Sequence, residues 1–265
     1  MILGGTFVST YIQNFLKFRP LLGELVARDI KIKYRRSVLG VFWTLLNPLC
    51  MMAVLSVVYS NLFKFAVDNF PLYLLSGQVV FNFFSESTTS AMSAIVGNAS
   101  LIKKVYMPKY LFVLSRVISS AINLGASFCA LIVVMAVTRS ELHWTVLLSW
   151  LPLIFLIVFS VGLGMLLAAL TVKFRDVMHL YSVFITALMY LTPVIYPMNI
   201  LPGWLAKIVL INPVTNMVMM FRDTIMYNSL PAVFNLVVAL VESCIMLVVG
   251  MYVFYKNQDE FILNI

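Results

Sequence analysis

Six long apolar runs constrain the fold of this chain more than any other feature of its sequence. A hydrocarbon core of ~30 Å is crossed by roughly 20 helical residues, a length that every run except the fifth comfortably meets. Since 62% of the 265 residues are hydrophobic and only 11% are charged, the charges are too few to cover a water-soluble globule. The sequence therefore predicts an all-α integral membrane protein with six spans, at about 38–63, 72–96, 117–138, 146–172, 180–196 and 232–255.

The basic residues indicate how these spans are oriented. Most of the Lys and Arg lie before the first run, at 98–110, at 173–179 and in the tail, whereas the opposite side keeps Lys64, Arg139, Lys207 and Arg222. By the positive-inside rule the first group is cytoplasmic, so six spans leave both termini in the cytoplasm. This topology explains the net charge of +8, and because no basic stripe carries interleaved aromatic residues, we expect no nucleic-acid partner.

A basic amphipathic helix precedes the first span. We expect it to begin at Pro20, because the first helical turn has no use for the N–H that proline lacks. Its apolar face consists of Leu22, Val26, Ile30 and Tyr34, and its basic face of Arg28, Lys31 and Arg35. Such a helix is typical of a membrane surface, and the alternative is a solvated helix that packs on a soluble partner. We expect no cleavable signal peptide, since no short apolar stretch ends in a small-residue cleavage site.

The stretch between the fifth and sixth runs, at about 192–231, is apolar but interrupted by proline and glycine. Irregular backbone at membrane depth is tolerated where it is buried in protein or lines a cavity. We therefore predict two short re-entrant helices, at about 203–211 and 214–227, that dip in from the outside and turn at Asn212 and Pro213. The alternative is a seventh span, which would place the tail outside and which the charge pattern opposes.

Side chains that could carry chemistry are sparse. The sequence contains no Gly-x-x-x-x-Gly-Lys-Ser/Thr loop for nucleotide phosphates, no nucleophile elbow and no carboxylate cluster for a metal. Cys50, Cys129 and Cys244 lie within apolar runs at no metal or disulfide spacing, so we interpret them as small core residues. We therefore expect a transport protein rather than an enzyme. For uphill transport it would use an ion gradient or the ATP hydrolysis of another subunit.

Glu86 and Glu242 are the acidic residues within the predicted spans. An ionisable group at bilayer depth suggests a function, and these two would serve an ion-coupled transporter. The alternative is that each is a structural anchor, hydrogen-bonded to a neighbouring helix or facing a wet cavity. Small residues in the third and fourth spans, among them Gly125, Gly162 and Gly164, predict close helix packing within the chain, or self-association.

Several blocks of the sequence resemble a known family. They are RDIKIKYRRSVLG at 28–40, WTLLNPL at 43–49, SLIKKVYMP at 100–108, KFRDV at 173–177, PVIYP at 193–197 and NP at 212–213. In this order they resemble the ABC-2 type permeases that export polysaccharides, which include O-antigen, capsule and teichoic-acid transporters. The resemblance extends over nearly the whole chain. It implies the permease subunit of an ATP-driven exporter that moves a lipid-linked polysaccharide across the bacterial cytoplasmic membrane.

The resemblance also implies partners and domains. Family members are homodimers carried on two copies of a separate ATPase, which holds the ATP and Mg²⁺. The domains would be a cytoplasmic region with an interface helix at 1–37, a six-span transmembrane domain at 38–256 and a cytoplasmic tail at 257–265. A helix at about 99–110 would couple the spans to the ATPase, and the broken segment at about 203–227 would be an extracellular gate.

Individual residues take expected roles from the same resemblance. The residues expected to contact the ATPase are Ser100, Lys103, Lys104, Tyr106, Pro108, Arg175 and Asp176. The charged residues of the interface helix are Arg28, Lys31, Lys33, Arg35 and Arg36.

The first and fifth spans would line a channel at the centre of the dimer. Aromatic side chains offer flat apolar surfaces to the C–H faces of sugars, and Tyr and Trp add a polar group. The channel-lining candidates are Phe42, Trp43, Tyr59, Tyr190 and Tyr196. The alternative is that they mark the membrane interface, where Trp and Tyr are enriched. Two other functions stay open, namely ABC-2 export of a drug or lipid and ion-coupled transport through Glu86 or Glu242.

Overall fold

Helices form the regular structure of the chain. The structure, a computed structural model, describes residues 4–35, 37–62, 67, 69–141 and 143–264, and within those ranges its regular elements are helical, as predicted. The α-helices are α1 Gly4–Tyr34, α2 Trp43–Leu62, α3 Phe70–Met92, α4 Ala99–Ile102, α5 Tyr110–Val137, α6 Trp150–Lys173, α7 Val177–Leu191, α8 Gly203–Ile211, α9 Pro213–Ile225, α10 Val233–Asn257 and α11 Phe261–Asn264. Short 3-10 turns occupy Gly40–Phe42, Val96–Asn98, Trp144–Ser149 and Met198–Ile200.

Three helices in the described ranges are long and apolar enough to cross a membrane, judged by length and composition. They are α5, α6 together with the turn before it, and α10. A fourth crossing results if α8 and α9, which meet at a bend of 94°, count as one broken span. The shorter apolar helices are α2 and α7. These helices agree with the predicted integral membrane fold at the level of its apolar, all-helical character.

Helix α3 occupies the centre of the bundle, where α2, α5, α6 and α9 pack around it. Leu74, Leu75 and Val80 have no exposed surface, as expected for a helix that is enclosed on most sides. One face of α3 is nevertheless polar, because Gln78, Asn82 and Glu86 recur every four residues. This polar face lowers the hydropathy of α3 and lies against a cavity rather than against a neighbouring helix.

Glycines allow two helix crossings to be unusually close. A Cβ atom on Gly250 of α10 would overlap the carbonyl oxygen of Gly162 of α6, and one on Gly164 would lie 2.6 Å from the Cβ of Ala91. The prediction that Gly162 and Gly164 pack within the chain is therefore confirmed. Gly125 on α5 differs, since a Cβ there would meet no atom within 4 Å.

The break predicted after the fifth apolar run is present. Helix α8 ends at Ile211 and α9 begins at Pro213, where the missing N–H leaves no helical bond unmade. Between them, Asn212 caps α9, since its Oδ1 accepts from the N–H of Val214 at 3.1 Å. The Nδ2 of Asn212 donates to Thr192 Oγ1 at 2.9 Å, which ties the bend to the end of α7.

The N-terminal helix begins earlier than predicted. Helix α1 starts at Gly4 and contains Pro20 in its interior, so the prediction that Pro20 begins the helix is wrong. An interior proline removes one backbone hydrogen bond and can kink a helix without ending it. The predicted apolar face is correct in part, because Leu22 and Val26 are buried whereas Ile30 and Tyr34 are half-buried.

Two further expectations need correction. The helix predicted at about 99–110 is helical at Ala99–Ile102, and the chain then runs without helix to the start of α5 at Tyr110. Pro108 contributes to the break directly before α5, since proline disfavours a helical conformation at Met107, the residue before it. The three cysteines are exposed rather than in the core, because the outer faces of membrane helices are as apolar as their inner faces.

The C-terminal tail packs beside the start of α5. Phe261 of α11 is 1% exposed, and its ring lies 5.1 Å from that of Phe254 in an edge-on arrangement. Lys109 Nζ donates to the carbonyl oxygen of Gln258 and lies 5.7 Å from the centre of the Phe261 ring. Burial lowers the pKa of Lys109, and the charge of Asp259 opposes that shift. The tail and the segment before α5 therefore lie at the same end of the bundle.

Candidate functional site

A polar cavity of about 680 Å³ lies between α1, α2, α3, α5 and the end of α7. Its polar lining includes Asn47, Gln78, Asn82, Ser85, Asn123 and Ser127. Apolar and aromatic side chains complete the wall, among them Trp43, Met51 and Phe81. Several amides and hydroxyls that converge with a few aromatic rings in one concave space are typical of a ligand site.

The wall of this cavity includes an ion pair that the sequence did not predict. Lys33 Nζ of α1 lies 2.7 Å from Glu86 Oε1 of α3. The same oxygen accepts from Asn123 Nδ2 at 2.8 Å and from Ser120 Oγ at 3.5 Å. Glu86 thus joins α3 to α1 and to α5, which agrees with the interpretation of Glu86 as a structural anchor. The two side chains are 44% and 37% exposed, so water partly screens the pair.

Asp29 forms a second charged cluster where α1 meets α5. Its side chain is 2% exposed and lies 3.0 Å from Arg28 Nη2 and 3.5 Å from Arg116 Nε. Arg28 also donates to Asn98 Oδ1 at 2.9 Å, so the cluster reaches the turn before α4. The sequence held a signal for this residue, since Asp29 follows Val26 by three positions and so lies on the apolar face of α1.

Arg222 of α9 is buried, although the sequence predicts that it lies in a segment on the outer side of the membrane. It is 4% exposed, and its Nη2 donates to the carbonyl oxygens of Tyr73 at 3.0 Å and of Val194 at 2.9 Å. Its Nη1 donates to Tyr73 Oη at 2.8 Å and to the Pro193 carbonyl at 2.5 Å. The guanidinium carbon also lies 3.5 Å from the centre of the Tyr73 ring. Arg222 therefore connects α9 by hydrogen bonds to α3 and to the segment that follows α7.

The residues expected to contact an ATPase lie mostly on exposed connections. Tyr106 is 99% exposed, and Ser100, Lys103 and Lys104 beside it are exposed as well, whereas Pro108 is half-buried. Arg175 and Asp176 are exposed in the connection between α6 and α7.

The charged residues expected on an interface helix differ in their surroundings. Lys31, Lys33 and Arg35 are exposed. Arg28 and Lys33 also bond to other parts of the bundle, Arg28 to Asn98 and Lys33 to Glu86. Arg36 lies outside the described residues.

The five aromatic channel candidates occupy different surroundings. Trp43 lines the polar cavity together with Lys33 and Glu86. Phe42 and Tyr190 are 69% and 66% exposed, and Tyr59 is half-buried. Tyr196 donates from its hydroxyl to the Tyr190 carbonyl at 2.8 Å, which closes the turn after α7.

Glu242 of α10 is separate from this arrangement. Its side chain is half-exposed at most, and no residue in the described ranges donates to its Oε2. It is absent from the residues that line the cavity. The two glutamates of the predicted spans therefore do not share the cavity.

Comparison with known proteins assigns the chain to a family. Residues 20–226 match the ABC-2 type transporter family. An O-antigen export system permease protein RfbA from Klebsiella pneumoniae is 27% identical over 246 residues, which cover 91% of this chain and 93% of that protein. The RfbA of Myxococcus xanthus is 27% identical over 252 residues, or 94% and 97% of the two chains. The polysialic acid transport protein KpsM of Escherichia coli is 20% identical over 246 residues, or 91% and 94%.

The match to the family model includes α2 to α9 and all the residues that line the cavity, and the relatives match along nearly their whole length. Together with the apolar helices, this identifies a multi-pass membrane protein. The chain belongs to the ABC-2 type transporter family.

Proposed function

We propose that this chain is the permease subunit of an ATP-driven exporter that carries a lipid-linked polysaccharide, such as an O-antigen or a capsule-like polymer, across the bacterial cytoplasmic membrane. The observation that carries the proposal is its match to two O-antigen export permeases over more than nine-tenths of its length. The cavity of amides and aromatic rings is chemically suited to a sugar. Teichoic acid, a polymer of polyol phosphates, is a third cargo that the sequence resemblance includes.

The proposed topology has six spans, α2, α3, α5, α6, α7 and α10, with both termini in the cytoplasm. It is supported by contacts that bring three basic segments to one end of the bundle, since Arg28 bonds to Asn98 and Lys109 bonds to the tail. Helices α8 and α9 are then re-entrant and form an extracellular gate, for which the 94° bend between two short helices is the support. The domains are the cytoplasmic region at 1–37, the transmembrane domain at 38–256 and the tail at 257–265.

The proposed partners are a second copy of this chain and two copies of a separate ATPase, which binds ATP and Mg²⁺. The sequence has no phosphate-binding loop, so an exporter built on this chain needs the ATPase. The surface for that partner consists of Ser100, Lys103, Lys104, Tyr106, Pro108, Arg175 and Asp176. Its support is the exposure of Tyr106, which is 99%, since an aromatic ring left in water is commonly a binding residue.

Deleting the gene and restoring it tests the function. We expect the deletion strain to lose the polymer from its surface and to accumulate it inside the cell, and the restored chain to reverse both effects. The tagged chain should also copurify with a protein that contains a phosphate-binding loop. Unchanged surface polymer after deletion, under conditions where the wild type produces it, would contradict the proposal.

A further inference from the structure

Phe261 anchors a tail helix that is otherwise exposed. Its side chain is 1% exposed and packs on the buried ring of Phe254, whereas Ile262 and Leu263, the next residues of α11, are 48% and 84% exposed. A helix of four residues is too short to be stable by its own hydrogen bonds. The burial of the Phe261 ring is therefore what holds α11 on the bundle.

The tail contacts the first of two connections, the segment at 103–109 between α4 and α5. Lys109 is the last residue of this connection, and its Nζ donates to the carbonyl oxygen of Gln258 in the tail. The same Nζ lies 5.7 Å from the centre of the Phe261 ring, close enough for the ring to attract the cation. Two contacts thus hold the end of the first connection on the tail.

The tail also lies at the end of α6, from which the second connection, at 174–176, leads to α7. Ser243 of α10 donates to the Phe155 carbonyl of α6 at 2.9 Å, and seven residues further along both helices Gly250 meets Gly162. The equal spacing means that α6 and α10 run in the same direction. Helix α11 follows the end of α10 and packs against α6, so it lies where α6 ends at Lys173.

Both connections carry residues of the proposed ATPase surface. Lys103, Lys104 and Tyr106 lie in the first, and Arg175 and Asp176 lie in the second. The two connections are far apart in the chain, because α5 and α6 lie between them. The tail is thus placed to fix one connection relative to the other.

We propose that Phe261 is a positioning residue for coupling to the ATPase. It anchors α11, and α11 holds the two connections in a fixed relation, so that a movement of the ATPase is passed on to α5 and α6. The proposal rests on the proposed function and adds to it a role for the C-terminal tail. Since Phe261 has almost no exposed surface, its effect passes through the residues that it positions rather than through contact with the partner.

Hydrogen exchange of the full chain in lipid nanodiscs tests the contact itself. In Phe261→Ala we expect amides at 103–112 and 173–178, several of which donate to carbonyl oxygens of the two connections, to exchange about threefold faster or more. Phe128→Ala is the matched control, because its ring also lies 5.1 Å from a neighbouring ring, that of Trp150, but in the second half of α5. The control should leave exchange at both connections unchanged.

ATP hydrolysis of the reconstituted complex tests the coupling. With the lipid-linked polymer present, we expect Phe261→Ala to lower the stimulated kcat by about threefold or more. The KM for ATP should stay unchanged, because ATP binds to the partner and Phe261 has no contact with it. Phe261→Leu keeps an apolar side chain at the same place and should restore most of the stimulation. A general loss of stability would lower the stimulation in Phe128→Ala as well.

Lys109→Met tests whether the first connection acts through the tail. It removes the donor to Gln258 but leaves Phe261 in place, so it provides a test even if Phe261→Ala lowers the stability of the whole bundle. We expect it to reduce the stimulation in the wild type and to cause no further loss in the Phe261→Ala background. Additive losses would show that Lys109 acts independently of the tail and would overturn the proposal for this connection.

The outcomes separate the positioning role from the proposed function. Unchanged exchange at both connections in Phe261→Ala, or full stimulation by the polymer in that variant, overturns the positioning role and leaves the exporter function intact. If no ATPase copurifies with the wild-type chain, or if the polymer does not stimulate the wild-type complex, the proposed function fails and the coupling role fails with it.

Discussion

The guanidinium of Arg222 occupies the space that a side chain on Gly77 would need. A Cβ atom at Gly77 would lie 2.5 Å from Arg222 Nη2 and 3.1 Å from both the Cα and the carbonyl oxygen of Val194. The glycine on α3 thus lets an arginine of α9 reach two carbonyl oxygens, those of Tyr73 and Val194. This contact joins the central helix α3 to α9 and to the segment between α7 and α8.

Gly77→Ala should lower the free energy of unfolding by about 1–3 kcal/mol, because an added methyl group overpacks the contact and displaces Arg222. Gly125→Ala is the matched control, since it adds a methyl to a helix interior where no atom lies within 4 Å. That change should raise the stability by about 0.5–1 kcal/mol. Thermal unfolding of the purified chain in lipid nanodiscs measures both. Equal stability of the two variants would show that the helices move apart without cost.

Arg222→Met should be the more damaging change, since it leaves the carbonyls of Tyr73, Pro193 and Val194 without this donor in the interior. We expect a loss of more than about 2 kcal/mol by the same unfolding measurement. Arg222→Lys should not rescue it, because an ammonium cannot reproduce the planar set of donors.

A double-mutant cycle examines the relationship of Gly77 and Arg222 directly. In the Arg222→Met background, Gly77→Ala should cost at least about 0.5 kcal/mol less than in the wild type, because the displaced group is already gone. If the losses in the free energy of unfolding were strictly additive, the absence of a side chain at Gly77 would not serve to make room for Arg222.

Glu86→Gln should leave polymer export intact. The neutral amide oxygen can still accept from Lys33 and Asn123, and the ion pair is partly exposed, so we expect a stability loss below about 1 kcal/mol. The measurement is the amount of surface polymer in the deletion strain that carries each variant. Lys33→Met, which removes the other half of the ion pair, is measured in the same way. Loss of export with a normally folded chain would favour ion coupling through Glu86 over a structural role.

Charge reversal at Lys103 and Lys104 should weaken the coupling to the ATPase without unfolding the bundle, because both side chains lie on an exposed connection. The measurement is ATP hydrolysis of the reconstituted complex with and without its polymer substrate, and we expect the stimulation by substrate to fall. Lys207→Glu changes an exposed residue that is predicted to lie on the outer side of the membrane, and it should leave the stimulation by substrate unchanged. If polymer still stimulated ATP hydrolysis fully in the variant with both charges reversed, Lys103 and Lys104 would not be part of the coupling surface.

Much of the fold could be predicted from local patterns. The break between α8 and α9 follows from Asn212 and Pro213, whose capping and missing N–H act within a few residues. The close approach of α6 at Gly162 was expected for the same kind of reason, since small residues allow helices to touch in lipid. The start of α1 was predicted wrongly because a helix can continue through an interior proline such as Pro20, at the loss of one backbone hydrogen bond.

The candidate site depended on the tertiary structure. Arg222 bonds to Tyr73, 149 positions earlier in the chain, and Glu86 bonds to Lys33 across 53 positions. Hydropathy and charge counts could place Arg222 in an outer segment and Glu86 in a span, but they carry no information about a partner so distant. Burial of a charge is decided by the donors and acceptors that packing brings to it.

The sequence by itself determined that this chain is an apolar helical membrane protein, where two of its helices break and which family it resembles, because those properties rest on composition, short-range geometry and the order of local blocks. Tertiary structure alone decided that a cavity lies beside the polar face of α3, that Gln78 Oε1 is buried without a donor among the described residues, and that Gly77 makes room for Arg222. Such features arise from the close packing of distant helices, where a single methyl group or hydrogen-bond donor decides whether a contact can form.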